Sequence, residues 1–87
     1  MSKLSAYAVV ELVHLIKRDK RINQIQLFES RYLAEAYLNK RYKELYGIME
    51  SGCGVLSFFL DNGRFDLVDM DGDKYEAILS EELVIRQ

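Results

Sequence analysis

The first apolar segment of the chain has apolar residues in both alternating registers. From Tyr7 to Ile16, Val, Leu, Ile, Ala and Tyr fill most odd and most even positions. Successive side chains of a strand point to opposite faces, so this segment predicts a strand that is apolar on both sides. Residues 17–21 form a polar turn, and Ile22 to Phe28 then reads as a half-polar strand with Ile25 and Leu27 on one side. The two segments predict a β-hairpin.

A helix is predicted next, from Arg31 to about Tyr46. Ser30 suits its N-cap, because a hydroxyl there can accept a hydrogen bond from a backbone N–H of the first turn. Gly47 suits the left-handed residue that often closes a helix. The apolar positions that share one face at the helical period, and that we expect to form the core, are Ala34, Tyr37, Leu38, Leu45 and Ile48, with Tyr42 and Met49 on the flank.

Three more strands are predicted in the second half, separated by turns rich in Asn, Asp and Gly. The pair Asn62-Gly63 between apolar runs is a strong hairpin signal, since both residues tolerate positive φ, and 71–73 is a second tight turn. Beyond Ser80 the chain either caps a short turn or continues as an edge segment. The strands are expected at 55–60, 65–70 and 75–79, and the edge segment at 83–85.

The order β-β-α-β-β-β predicts a single α+β domain over residues 1–87. We expect two layers, with one helix packed on a mostly antiparallel sheet of four to five strands. The order also suits a β-grasp-like arrangement. One helix covers one face of a sheet, so the other apolar side of the first strand predicts a homodimer or a protein partner.

Composition bounds the class of protein. The 87 residues are 49% hydrophobic and 30% charged, which is typical of one small globular domain. A single cysteine, Cys53, cannot form an intrachain disulfide, which predicts a reducing compartment and hence the cytoplasm. The N-terminal apolar run is about ten residues long, too short to span a bilayer. We therefore expect no membrane association.

Charge is distributed unevenly although the net charge is only −2. Residues 51–87 hold eight acidic side chains against three basic ones. Asp66, Asp69, Asp71 and Asp73 are therefore candidates for a surface that imitates DNA. The turn at 17–21 carries the opposite charge and is a candidate contact for nucleic acid through Lys17, Arg18, Lys20 and Arg21.

No residue pattern predicts catalysis, a cofactor, a metal or a small-molecule substrate. The acids around Gly72 resemble a calcium loop, but Leu67 and Ile78 occupy the positions of its first and last acidic ligands. One His and one Cys cannot supply the four ligands of a zinc site, and nothing in the sequence places His14 beside Cys53. We expect Asp71-Gly72-Asp73 to be a solvated turn.

The helix carries four tyrosines, and the helical period divides them into two pairs. Tyr37 and Tyr42 fall on or beside the apolar stripe and are predicted core residues. Tyr32 and Tyr46 fall on another side. Tyrosine supplies broad amphipathic area at contact surfaces, so these two are candidate partner-binding residues.

Three segments, "YAVVELVH", "IQLFES" and "AEAYLNKRYKEL", resemble a pattern of small, mostly uncharacterised proteins of bacteriophages and Gram-positive bacteria. The similarity covers about residues 7–46. It implies a fold and a phage or mobile-element setting, and carries over no functional residue. The matching residues are structural ones: Tyr7, Val9, Phe28, Ser30, Ala34, Tyr37 and Leu38.

Two hypotheses about function follow. The first is a non-enzymatic protein-binding module that acts stoichiometrically. In a phage setting this includes inhibition of a host protein such as a defence nuclease. The second is a small regulator that contacts nucleic acid through the basic turn at 17–21. Salt dependence separates them, because phosphate contacts weaken steeply with salt.

Overall fold

The computed structural model describes the backbone of residues 3–80 and 83–86 and the side chains of residues 6–80. The elements follow the predicted order and confirm the α+β class, with one helix packed on an antiparallel sheet. They are β1 (Lys3–Leu15), β2 (Lys20–Phe28), α1 (Arg31–Ser51), β3 (Val55–Asp61), β4 (Arg64–Asp69), β5 (Lys74–Leu79) and β6 (Leu83–Arg86).

β1 pairs with three other strands, β2, β5 and β6. The strand order is β2-β1-β5-β4-β3, and β6 pairs with residues 3–6 of β1, beyond the end of β5. β1 therefore has hydrogen-bonded partners on both sides along most of its length, while its two faces differ in what covers them. No pair among the described strands is parallel, so the likeness to a β-grasp is limited to the order of elements.

The turns between strands are held by local backbone geometry and by side-chain caps. Among the described residues, positive φ is confined to Asp19 (46°), Gly54 (104°) and Gly72 (92°). The turn at Asn62-Gly63 forms the predicted hairpin, but it does so without the positive φ expected there. The Asp61 carboxylate accepts the Asn62 N–H at 2.7 Å and stabilises that turn.

α1 is longer than the sequence predicted. Ser30 caps it as expected, with Oγ accepting the Leu33 N–H at 3.2 Å. Gly47, however, lies inside the helix, which continues to Ser51. The prediction that Gly47 ends α1 was therefore wrong. The last turn is retained because Met49 is buried against the sheet, where its packing offsets the low helix propensity of glycine.

The core lies between α1 and the sheet. Leu38 is 1% exposed, as predicted, but Leu45 is only half-buried and Ile48 is 67% exposed. The buried side of α1 is rotated away from Ile48 and toward Met49 and Tyr42. The buried core residues are Val9 of β1, Ala34, Leu38 and Met49 of α1, Phe65 and Leu67 of β4, and Ala77 of β5.

α1 covers only one face of the sheet. The molecule measures 51 × 25 × 15 Å, and its shortest dimension has room for one helix on a sheet but not for a third layer. Within the described part of the chain, no helix has the length and apolar character needed to cross a membrane. We name the face of the sheet that points away from α1 the open face.

Candidate functional site: the open face of the sheet

The register of the strands aligns exposed apolar side chains on the open face. Residues directly opposite each other on antiparallel strands share a face, so Val10 of β1 lies between Ile25 of β2 and Ile78 of β5. We name these three residues the apolar row. Ile25 is 64% and Ile78 43% exposed, and Leu12 and Leu27 on the same face are also exposed. Grouped apolar side chains of this kind are typical of contact surfaces.

Basic side chains lie on the same face, near the end of β1. His14 is opposite Arg21 on one side and opposite Lys74 on the other. Together with Leu12, Asn23 and Glu76, these side chains line a shallow depression of about 360 Å³. Arg21 and Lys74 therefore place two positive charges on either side of His14 on the open face.

Acidic side chains lie between the basic ones and the β3 edge. Asp66 of β4 is opposite Glu76 of β5. Asp66 Oδ2 accepts from Arg64 at 3.0 Å, whereas Oδ1 is buried and has no hydrogen-bond partner within the described residues. Glu76 lies 4.0 Å from the Lys74 ammonium. The open face therefore combines an apolar row with a mixed-charge margin.

The basic turn at 17–21 and the turn at 71–73, which we name the acidic turn, lie at the same end of the molecule. From the sequence alone they are two separate candidate contact surfaces. The Lys17 ammonium contacts Asp71 Oδ1 at 3.1 Å, and Asp73 Oδ1 accepts the Ile16 N–H at 2.9 Å. The hydrogen bond and the charge of Asp71 raise the pKa of Lys17. Part of the positive charge of the basic turn is therefore neutralised within the chain, while Arg18, Lys20 and Arg21 are exposed.

Asp69 stabilises the acidic turn through hydrogen bonds to its backbone. It is buried, and its Oδ1 accepts the N–H groups of Asp71 at 2.9 Å and of Asp73 at 3.0 Å. The Cys53 sulfur and carboxylate oxygens of Asp69 and Asp71 lie within 4.8 Å of one another. No sequence pattern indicated this cluster, because Cys53 follows the helix whereas the two acids lie at the end of β4 and in the turn after it. The Asp69 oxygen is already used by two backbone donors.

His14 and Cys53 lie on opposite sides of the sheet. His14 shares the open face with Arg21 and Lys74. Cys53 lies beside Asp69, which is opposite Val55 on the side that faces α1. The two side chains are therefore not arranged as a thiolate–imidazole pair.

The two tyrosines proposed for contact have different surroundings. Tyr32 is 78% exposed at the start of α1. Tyr46 instead packs against the core, with its ring 5.9 Å from Tyr42 and 5.8 Å from Phe58 between centroids. The helical period places Tyr46 off the apolar stripe, but the buried side of α1 is rotated toward it, so Tyr46 packs against the core. Only Tyr32 is a freely exposed ring of this pair.

An ion pair lies beneath α1 at Arg41, which falls among the positions of the apolar stripe at the helical period. Arg41 Nε donates to Glu11 Oε1 at 2.9 Å, and Arg41 Nη1 contacts Glu44 at 3.3 Å. Glu11 is buried, and the Tyr37 hydroxyl lies 3.5 Å from its other oxygen. Burial, together with the negative charge of Glu11, raises the pKa of Tyr37. This pair links α1 to β1.

Comparison with protein-family models, with curated proteins and with solved structures finds no match for this chain.

Proposed function

We propose that this chain is a small protein-binding module that acts by stoichiometric contact and without catalysis, and that the open face makes the contact. The observation that carries the proposal is the apolar row, Ile25, Val10 and Ile78, on a face that no other element of the described structure covers. Burying such side chains stabilises a complex by about 25 cal/mol for each Å² of apolar surface removed from water.

The surroundings of the apolar row support a protein partner. Protein interfaces commonly have an apolar centre and a polar margin that fixes orientation. Here Arg21 and Lys74 form the basic part of the margin, and Asp66 and Glu76 form the acidic part. A partner with complementary charges would be oriented by this margin and held by the apolar row.

A narrower form of the proposal is a cytoplasmic inhibitor of a host protein, such as a defence nuclease, in a phage setting. The resemblance of residues 7–46 to small phage proteins motivates it. Imitation of DNA would rest on Asp66 with Glu76, because Asp69, Asp71 and Asp73 hold the acidic turn together.

Two matched variants test the contact surface. Ile78→Lys adds a charge at the end of the apolar row, and Ile48→Lys adds the same charge to an exposed position of α1. We expect a partner captured by the parent protein to be lost from Ile78→Lys and retained by Ile48→Lys, with the circular dichroism of both unchanged. Equal retention by the two variants would refute the open face as the contact.

Nucleic acid is the second candidate partner, and the alignment of Arg21, His14 and Lys74 favours it. Lys17 contributes less, since it already pairs with Asp71. The test is binding of a short duplex at increasing salt. Affinity should fall steeply with salt and decrease in Arg21→Ala if phosphates are bound. Absence of binding at low salt would exclude this candidate.

A further inference from the structure

The two edges of the sheet differ in their readiness to pair with another strand. β3 forms one edge, and a register shift between Val55 and Ser57 interrupts it. β2 forms the other edge and pairs with β1 without interruption over all nine of its residues. β2 contains neither proline nor glycine, and its central positions carry no charge. Bulges and charges normally protect an edge from association, and β2 lacks both along its centre.

From this edge we infer a binding site for a second copy of the chain. We propose that β2 pairs with β2 of the second copy, antiparallel about a twofold axis, with Ile25 opposite Ile25 of the second copy. Pairing about an axis perpendicular to the sheet keeps the open faces of both copies on the same side. Backbone hydrogen bonds of the unpaired edge would then be satisfied by an identical strand.

Charge and side-chain complementarity select this register. Arg21 falls opposite Glu29 of the second copy, which lies just beyond β2 and is exposed. On the other face, Ile22 falls opposite Phe28 and Gln24 opposite Gln26. Opposite charges, apolar pairs and amide pairs directly across a ladder all stabilise it.

Neighbouring registers lose this match. A shift of two residues in one direction places Arg21 opposite an apolar side chain and Asn23 opposite Ile25. A shift of two residues in the other direction places Glu29 opposite Asn23 and also loses the ion pair. A shift of one residue would exchange the faces of the sheet. The register centred on Ile25 therefore keeps the charged, apolar and amide pairs, and its unlike pairs are Asn23 with Leu27 and Lys20 with Ser30.

The same register extends the apolar row across both copies. Ile78, Val10 and Ile25 would continue into Ile25, Val10 and Ile78 of the second copy, over a length of roughly 24 Å at the usual strand spacing. The pairing deepens the proposed function, because it doubles the contact surface that the open face offers. It does not depend on which partner binds there.

Single cysteines test the register directly. In a Cys53→Ser background, Ile25→Cys should cross-link to itself under mild oxidation, because residues opposite each other on antiparallel strands meet the distance of a disulfide. Asn23→Cys and Leu27→Cys should each remain uncross-linked alone and should cross-link when mixed. Failure of Ile25→Cys to cross-link, or equal cross-linking of all three alone, would overturn the proposal.

Charge exchange supplies a second measurement that needs no cysteine. Arg21→Glu and Glu29→Arg should each weaken self-association about tenfold, because two opposite-charge contacts become like-charge contacts. An equimolar mixture of the two variants should associate like the parent, since the two acidic side chains of one copy would meet the two basic side chains of the other. Concentration-dependent light scattering measures both effects. Single variants that associate like the parent would contradict the register.

The outcomes separate this pairing from the proposed function. Ile78→Lys that loses the partner yet still cross-links through residue 25 would confirm both. If Ile25→Cys cross-links but Ile78→Lys still binds the partner as the parent does, the pairing stands and the open-face contact is refuted. A monomer whose partner binding depends on Ile78 would refute the pairing and leave the open-face contact intact.

Discussion

Arg41 has an environment that its position in the helical period does not indicate. It lies in the apolar stripe of α1, yet it is 30% exposed and its guanidinium reaches the buried carboxylate of Glu11. Arg41→Met should destabilise the protein, because Glu11 would stay buried without its cation. We expect a loss of about 1–3 kcal/mol, less than the roughly 3–5 kcal/mol of a fully buried pair, since solvent screens the exposed part of Arg41.

The control for Arg41→Met is the double variant Glu11→Leu with Arg41→Met. It removes both charges, and replacement of a buried ion pair by apolar residues is often neutral or stabilising. Urea denaturation should therefore show that the double variant is more stable than Arg41→Met alone. A double variant less stable than the single one would mean that the pair does not account for the loss.

Leu38 and Leu45 occupy one predicted stripe but differ in burial. Leu38→Ala should cost about 2–5 kcal/mol, because Leu38 is fully buried and its removal leaves a cavity. Leu45→Ala should cost clearly less, because Leu45 is half-buried and water can reach the space. The free energy of unfolding in urea measures both. Equal losses would place the buried side of α1 where the sequence predicted it.

At the scale of elements, Gly47 separates two descriptions of α1. Inside a helix, Gly47→Ala should stabilise the protein by about 0.5–1 kcal/mol, and a Cβ built at this position meets nothing within 4 Å. If Gly47 closed the helix in a left-handed conformation, the same change would destabilise it. Gly72→Ala is the control that should lose stability, because Gly72 has a φ of 92°. Thermal unfolding of both variants provides the measurement.

Local patterns were sufficient to predict the elements. The alternation in β2, the Ser30 cap and the Asn62-Gly63 turn each depend on neighbours within a few residues, and each was found where expected. The end of α1 was missed because it depends on the burial of Met49 against distant strands. The packing of Tyr46 was missed for the same reason, since the angle of a helix on a sheet cannot be obtained from helical period alone.

At the scale of the whole molecule, the sequence indicates an uncovered face of the sheet but not which residues lie next to one another on it. A first strand apolar on both sides indicated an uncovered surface. The apolar row depends on which residues of β1, β2 and β5 are opposite one another, and that register joins residues far apart in the chain, such as Val10 and Ile78. The same register brings His14 between Arg21 and Lys74. Nothing local in the sequence determines it.

Stability of the whole molecule should depend on protein concentration if two copies pair through β2. A small domain with an open face buries limited apolar surface, so pairing would contribute to its unfolding free energy. A hundredfold rise in concentration stabilises a dimer by about 2.7 kcal/mol, and should raise the Tm by about 5 °C or more in a domain of this size. Calorimetry from low to high micromolar protein measures this shift.

Arg21→Glu is the matched control for the concentration dependence. It weakens the pairing without altering the core, so its Tm should vary less with concentration than that of the parent. Mixing it with Glu29→Arg should restore the dependence of the Tm on concentration, because the two copies would then carry complementary charges. A parent protein with a constant Tm, a monomeric mass at high micromolar concentration and a large unfolding free energy would show that one copy is stable with its open face and its β2 edge in water.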